Sequence, residues 1–360
     1  MKKTFLFLVI ISILFSLLSC KDPIFYTISK EQPPLVPRIQ GSSSNFVIFN
    51  DIMYVGSGSK LYLYFGYEQW ASFNMGKRII NLAATNSKFY ILYQDGSLGV
   101  PGEIPVIIPE YKVHGIFAID DVLFISAESR GIFSVFYITD SDSTLKSVTL
   151  PINPLSPEKI MPIYKLCGVA SDADNYYLTS IHKFGIFVLP KISLDSTAVI
   201  LEDSFEAFTN IINLTETFIV AMTRDGDLYQ IKPDGVIDLQ KWITDARSSS
   251  GALAVWESGT ENRKLLLAGS QDIYNSITTG LTHGYVEVEF DDDSIIGNFV
   301  EPGRYVFSTV NDHELYYSSI GKHGIRYMIQ APDGILFAST NHGVWSYRLR
   351  DGLISWNAEE

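Results

Sequence analysis

Seven glycines set the frame of this chain. Gly58, Gly96, Gly131, Gly185, Gly226, Gly284 and Gly343 each close a connection between two apolar runs, a short turn except for the longer loop Ser270–His283 before Gly284, at separations of 38, 35, 54, 41, 58 and 59 residues. Glycine supplies the positive φ that a tight hairpin needs. The clearest copy is Gly324–Leu349. An apolar run to Gln330 is followed by the turn Ala331-Pro332-Asp333-Gly334 and a second run, Ile335–Ser339. The turn Thr340-Asn341-His342-Gly343 then leads into a closing strand that alternates apolar and polar side chains. Alternation of period two gives one covered face and one wetter face. No amphipathic pattern long enough for a helix of about 12 residues interrupts the series.

One such hairpin cannot bury both its faces, whereas several packed in a ring can. The spacing is that of a propeller with loop insertions rather than a strict solenoid. It predicts an all-β fold, a seven-bladed β-propeller of four-stranded antiparallel blades. Fourth strands are expected at Gln69–Phe73, Ile104–Ile108, Leu145–Leu150, Thr197–Leu201, Val236–Trp242 and Glu314–Ser319. Two segments compete to complete the last blade, Leu353–Asn357 and the apolar island Ile24–Ile28. The reading favours the C-terminal strand, with Ile24–Ile28 packed nearby.

In Gly324–Leu349 the residues Asp333-Gly334, Leu336-Phe337, Thr340-Asn341-His342-Gly343 and Val344-Trp345 resemble the bacterial sensor-type propeller repeat. The turn at Asp333 is shorter than in that family. The resemblance implies a propeller that senses, binds or scaffolds, and the fold by itself does not choose among these.

The N-terminus is a second signal. Met1-Lys2-Lys3 precedes an apolar run, Phe5–Leu18, too short to span a bilayer comfortably, as a spanning helix needs about 20 residues; the pattern is that of a secretory signal peptide. Leu17-Leu18-Ser19-Cys20 resembles the lipobox of bacterial lipoproteins, with Leu18 bulkier than is usual there. That resemblance implies a signal peptide over 1–19, a lipidated Cys20 that begins the mature chain, a linker over 20–44 and the propeller over 45–360. Each buried CH₂ of an acyl chain contributes about 0.8 kcal/mol to anchoring. Lys21, where some Gram-negative sorting signals place Asp, implies the outer membrane. The expected partners are therefore a membrane, through Cys20, and a protein or other envelope component.

The formal charge of −13 argues against nucleic acid, because phosphate contacts need clustered Lys and Arg. With Cys20 acylated, Cys167 is the other cysteine, and the apolar context of Leu166 and Val169 reads as that of a small buried hydrophobe. No Gly-x-Ser-x-Gly, phosphate-binding glycine loop or His-Glu-x-x-His occurs, and no cofactor motif is present. An alternative reading is a propeller hydrolase or lactonase with a metal or paired carboxylates on the axis, for which Asp120, Glu257 and Asp333 are the carboxylates to examine.

In the expected geometry the second-to-third turns share one face with the connections between blades. That face would gather Arg130, His182, Asp225, His283 and His342, with His323 and Arg326 beside them, as a ligand-reading rim. Arg78, His114 and Lys165 fall on the same side. Four His-Gly pairs, at His114, His283, His323 and His342, lack the spacing of a zinc site. His342 occupies the turn slot that Ser57, Asp95, Arg130 and Asp225 fill elsewhere, which is the place of a turn residue. Ser270–His283 and Asn153–Tyr164 read as contact loops.

Overall fold

The computed structural model describes residues 39–101, 103, 105, 107–151, 165–180, 185–201, 207–223, 228–233, 235–238, 253–258, 263–270, 284–290, 295–299, 325–340, 343–350 and 353–359. All of them belong to one unit of the chain, Val36–Glu360.

Among the described residues the strands form seven antiparallel sheets, six of four strands and one of three. Sheet I is β1 (Ser43–Phe49), β2 (Ile52–Ser57), β3 (Lys60–Tyr64) and β4 (Trp70–Asn74). Sheet II is β5 (Ile79–Ala84), β6 (Phe89–Tyr93) and β7 (Leu98–Gly99). Sheet III is β8 (Lys112–Ile119), β9 (Val122–Ser129), β10 (Ile132–Thr139) and β11 (Lys146–Ser147). Sheet IV is β12 (Leu166–Ser171), β13 (Asn175–Ser180), β14 (Ile186–Pro190) and β15 (Val199–Ile200). Sheet V is β16 (Phe208–Asn213), β17 (Ile219–Thr223), β18 (Leu228–Lys232) and β19 (Gly235–Asp238). Sheet VI is β20 (Leu253–Ser258), β21 (Arg263–Ser270), β22 (Gly284–Phe290) and β23 (Ile295–Phe299). Sheet VII is β24 (Ile325–Gln330), β25 (Leu336–Thr340), β26 (Gly343–Arg350) and β27 (Leu353–Ala358). The first strand of each sheet lies against the first strand of the next, from I to VII and from VII back to I. This is an all-β propeller.

The expectation of seven four-stranded blades is corrected: six sheets have four strands and sheet II has three. Ile104–Ile108 was to supply its fourth. Pro101, Pro105 and Pro109 recur through that segment, and proline has no N–H to give a ladder. Ile108, 7% exposed, packs into the core instead. In sheet VI the fourth strand is Ile295–Phe299, and the expected Glu314–Ser319 lies outside the described residues. The last blade is completed by β27, as expected; Ile24–Ile28 lies outside the described residues.

The core is a series of seams rather than one centre. Val122, Phe124 and Tyr137 of sheet III pack on Tyr176, Leu178 and Phe187 of sheet IV. Equivalent clusters join I to II, II to III, IV to V, VI to VII and VII to I. Trp256 and Trp345 lie in the VI–VII seam, and Trp70 packs beside the VII–I seam. Second strands are covered on both faces, so β6, β17 and β25 are buried throughout. Their near-continuous apolar sequence follows from that double burial. A fully buried Val, Leu or Phe there contributes about 1.5–3 kcal/mol.

Six first strands carry a bulge at one register: between Ser43 and Phe46, Ile79 and Asn81, Val113 and Gly115, Leu166 and Gly168, Phe208 and Asn210, and Ile325 and Tyr327. A bulge frees backbone groups of the facing strand. In sheet I the Ser44 hydroxyl accepts from the Gly56 N–H at 2.8 Å. In sheet V the Thr209 hydroxyl donates to the Met222 carbonyl at 3.2 Å.

Side-chain amides bridge three seams, each pairing with both backbone groups of one residue in the neighbouring sheet. The Asn45 amide accepts from Leu82 N–H at 2.8 Å and donates to Leu82 C=O at 2.7 Å. Asn213 does the same to Ser171 at 3.1 and 2.6 Å, and Gln330 to Glu257 at 2.9 and 3.0 Å. Each reproduces one rung of a β-ladder between sheets that share none.

The ring closes between VII and I, where the edge of β26 receives both ends of the domain. Past the end of β27, Glu359 N–H donates to Val344 C=O and Val344 N–H donates to Ile39 C=O, each at 3.1 Å. Gln40 bridges Gly343. Glu359, 2% exposed, accepts from Trp70 Nε1 at 2.9 Å and from the Ser346 hydroxyl.

Candidate functional site

The strand order gives the ring two unlike faces. One carries the turns from first to second and third to fourth strands; we call it the 1–2 face. The other carries the turns from second to third strands and the connections between sheets; we call it the 2–3 face.

Polar side chains of the 1–2 face are engaged in tying sheets together. Asp140 accepts from the Thr85 hydroxyl at 2.6 Å and from Ser87 N–H at 3.1 Å, joining III to II. Asp120 takes Lys191 Nζ at 2.7 Å and the Ser171 hydroxyl at 3.2 Å, joining III to IV. Asp333 accepts from the Tyr64 hydroxyl at 2.7 Å, joining VII to I, and Asp195 accepts from Tyr137. Burial, reinforced by these carboxylates, raises the Tyr64 and Tyr137 phenols well above their ordinary range. Burial also pushes Tyr90 up to about 12. At Asp172 burial pushes the carboxyl up, but bonds from Tyr177 and from the N–H groups of Asp174 and Asn175 outweigh it, and the group is lowered.

The carboxylates that an axial catalytic pair would have used are dispersed. Asp120 and Asp333 lie in different seams, and Glu257 meets Gln330 through its backbone at a third. Among the described residues no three His, Cys, Asp or Glu side chains gather as a metal site.

The 2–3 face is built differently. Its mouth is ringed by the starts of the inner strands and by their bulges. In sheet III the bulge turns His114 outward, and its Nε2 lies 2.8 Å from Glu128 Oε2 on β9. The His114 ring packs 5.3 Å from that of Phe133 on β10. Arg130 and Gly131, with φ of 51° and 80°, form the hairpin turn between those strands; both residues in the left-handed region is the type I′ pattern. Arg130 is exposed, and the adjoining Ile132 is 70% exposed. In sheet II, hydrogen bonds from Lys77 and Ser97 hold the Asp95 carboxyl down at about 2.

In sheet VII the bulge carries Arg326, whose guanidinium donates to the Ser42 hydroxyl and lies 5.8 Å from the Tyr327 ring. Burial raises the Tyr327 phenol; the Arg326 cation lowers it and Cys167 of sheet IV raises it. Cys167, read from sequence as buried, is half-exposed instead, because it sits on the β12 bulge, which turns the side chain out of the seam.

Of the residues expected on this rim, Arg130 and Arg326 are on the 2–3 face, at the outer turn of sheet III and the inner strand of sheet VII. His182, Asp225, His283, His342 and His323 lie outside the described residues, as do Cys20, Asn153–Tyr164 and all but Ser270 of Ser270–His283. Sequence reasoning placed His114 on this side but missed Lys112 and the partners of His114, Glu128 and Phe133. The signal was within reach: His114 and Cys167 each precede a glycine, Gly115 and Gly168, at the same bulge.

No protein-family model matches the sequence, and no curated protein resembles it closely enough to count as a relative. Solved structures match its fold. The extracellular domain of the hybrid two-component system BT4673 from B. thetaiotaomicron superposes with a TM-score of 0.52 at 14% identity, over 87% of this chain; the chain spans 38% of that protein. Streptogramin B lyase gives 0.55 at 10% identity, over 88% of this chain and 94% of the other. YCF48 bound to D1 peptide gives 0.53 at 9% identity, over 88% and 95%. At these identities the likeness is one of fold. Among the described residues no helix is long and apolar enough to cross a membrane.

Proposed function

We propose that this chain is an exported, lipid-anchored propeller that binds a protein or other envelope component through its 2–3 face. In this reading residues 1–19 are the signal peptide, Cys20 carries the lipid, 20–44 is a tether and 45–360 is a ring of seven units, with sheet II a blade trimmed to three strands. The outer membrane is its site. One observation carries the docking reading. Asp120, Asp140 and Asp333 of the 1–2 face hold neighbouring sheets together, whereas the 2–3 face presents the exposed Arg130 and Ile132 at the turn of sheet III. Function placed on loops of a rigid scaffold is the common arrangement. A fold neighbour, YCF48, is seen bound to a peptide, D1. The lipobox residues Leu17, Ser19 and Cys20 support the anchor.

Affinity capture from native envelopes, with the lipid intact and cross-linking before solubilisation, tests the docking reading. The expected result is a stoichiometric partner, lost on Arg130→Glu with Ile132→Asp. Failure of the wild-type chain to recover any such partner would count against it. For the anchor, Cys20→Ser is expected to abolish labelling by palmitate and to move the chain from the membrane to the soluble fraction. Persistence of the label on Cys20→Ser refutes it.

A further inference from the structure

We propose that the 2–3 face carries a cationic arc, Arg78, Lys112 and Lys165, that takes an extended protein segment with acidic side chains at alternate positions. The proposal deepens the docking reading above and rests on it. Its first support is register. Ile79, Val113 and Leu166 are the equivalent residues that precede the inner-strand bulges of sheets II, III and IV. Arg78, Lys112 and Lys165 stand immediately before them, so three consecutive sheets place a cation at one position of the repeat. All three are exposed. Among the described residues of this face, Lys77 holds Asp95 in an ion pair, and His114 is hydrogen-bonded to Glu128. Arg326, from sheet VII on the far side of the axis, adds a half-buried guanidinium whose hydrogen bond goes to a hydroxyl, that of Ser42, rather than to a carboxylate. The exposed Glu110 and the half-buried Glu128, which faces Lys112 across the β8–β9 pair, lie beside the arc; against Arg78, Lys112, Lys165, Arg130 and Arg326 they leave its sign positive.

The contrast with the opposite face gives the second support. There Asp51, Glu68, Asp121, Asp174 and Glu216 are all exposed, and the chain as a whole is acidic. A local positive arc on an acidic body steers an anionic partner to one face and turns it away from the other.

The order of the cations selects the class of anion. The inner strands β5, β8 and β12 are nearest neighbours around the ring, so Arg78, Lys112 and Lys165 follow one another from sheet to sheet. An extended chain presents one face through every second residue, which offers successive acidic groups to successive cations. A single phosphate or carboxylate would reach one of the three cations and leave the others unused. Between and beside the cations lie Tyr111, half-buried, and the exposed Ile132 with Phe133. These offer apolar contact to the intervening residues of such a segment, which a sugar–phosphate backbone would not use.

The test is a fluorescence-anisotropy titration of the full mature chain in detergent, with a fluorescein-labelled eight-residue peptide alternating glutamate and phenylalanine. Its glutamine counterpart is the control. Binding is expected for the glutamate peptide, weakening steeply with salt, and falling about tenfold or more in the triple variant R78E/K112E/K165E. The neutral triple variant R78Q/K112Q/K165Q is expected to fall in between, and K146E/K232E on the opposite face to bind as wild type. Equal affinity for the glutamine peptide overturns the proposal, as does undiminished binding by the triple reversal. Tighter binding to a single-stranded oligonucleotide or to anionic vesicles than to the peptide overturns it in favour of that ligand. Salt-sensitive self-association in sedimentation, abolished by the same reversal, overturns it in favour of a second copy of the chain. Capture of the native partner by R78E/K112E/K165E as by wild type refutes the arc and leaves the docking reading standing. Failure of the wild type to capture any partner refutes the docking reading, and the peptide titration still decides the arc.

Discussion

Asn45 offers the sharpest test of how the ring is held. Its amide joins sheet I to sheet II through Leu82 N–H at 2.8 Å and Leu82 C=O at 2.7 Å, and accepts a third bond from Asn81 Nδ2 at 2.8 Å. Replacing Asn45 by Ala removes all three and leaves two backbone groups and one amide without partners in a partly buried seam. A net hydrogen bond contributes about 0.5–1.5 kcal/mol, and an orphaned buried group costs about 1–3 kcal/mol; with water reaching part of the site, the expected loss is about 2–3 kcal/mol. Asn81→Ala loses the shared bond and the one its Oδ1 accepts from Ile116 N–H at 2.7 Å, for about 1–2 kcal/mol. Because one bond is counted in both variants, the double variant falls short of the sum by about 0.5–1.5 kcal/mol. Asn45→Asp adds a pH signature. A carboxylate oxygen cannot donate to Leu82 C=O, but a protonated one can. The folded state therefore favours the protonated acid, and the deficit of this variant shrinks as pH falls through the carboxyl range, while that of Asn45→Ala does not. Urea unfolding across pH 3–7 reads these values, and hydrogen exchange at the Leu82 and Ile116 amides reports the seam itself. An Asn45→Ala cost below about 0.5 kcal/mol, or additivity within about 0.3 kcal/mol, would refute the reasoning.

Other expectations follow from single contacts. A Cβ on Gly56 would lie 2.5 Å from Ile79 Cγ2 and 2.9 Å from Ile79 Cβ; Ile79 is branched and buried, so Gly56→Ala should cost about 1–3 kcal/mol, read as a lowered urea midpoint with unchanged slope. Asp95 is held down at about 2, below its unfolded value. The stabilisation is thus present above the unfolded carboxyl range and is lost as pH falls through about 2; with both side chains 44–48% exposed, solvent screening limits it to about 0.5–1 kcal/mol. Asp95→Asn should erase that slice of acid sensitivity, and an unchanged stability-versus-pH curve would contradict it. Burial raises Tyr54, Tyr64, Tyr90, Tyr93, Tyr137, Tyr176, Tyr177 and Tyr327. Their stabilisation is intact below the unfolded phenol value and is lost as pH rises towards about 12, where Tyr90 ionises. Ultraviolet titration should therefore find no more than twelve of the twenty tyrosines ionising near pH 10, with the remainder following on unfolding.

What the repeat made legible was the local unit. First, second and third strands fall where apolar runs and glycine turns place them, because hairpin geometry is fixed by residues within a few positions of each other. Fourth strands were less legible, being short and at the outer edge, where few side chains pack. Ile104–Ile108 looked like a strand by its apolar residues, yet its flanking and internal prolines were already in view and overrode them. Ile295–Phe299 follows the acidic run Asp291-Asp292-Asp293 in the sequence, which reads as punctuation and could have marked it. Of the rim residues, Arg130 was readable from the Arg-Gly turn. Cys167 was misread because its apolar neighbours suggested burial, while the bulge that exposes it is a matter of register between strands.

The sequence alone determined the repeat, its turns and the acidic balance of the chain, since each is set by composition or by residues close together in the chain. The tertiary structure decided which amide bridges which seam, that both ends of the domain share the edge of β26, and that carboxylates from distant turns meet hydroxyls of neighbouring sheets. It also decided that Arg78, Lys112 and Lys165 stand side by side although 34 and 53 residues separate them along the chain. The physical reason is closure. Each sheet buries its faces only against its neighbours, so the position of a side chain around the ring depends on how many sheets come before it, and a trimmed sheet or an inserted loop changes the sequence separation without changing the place in the ring.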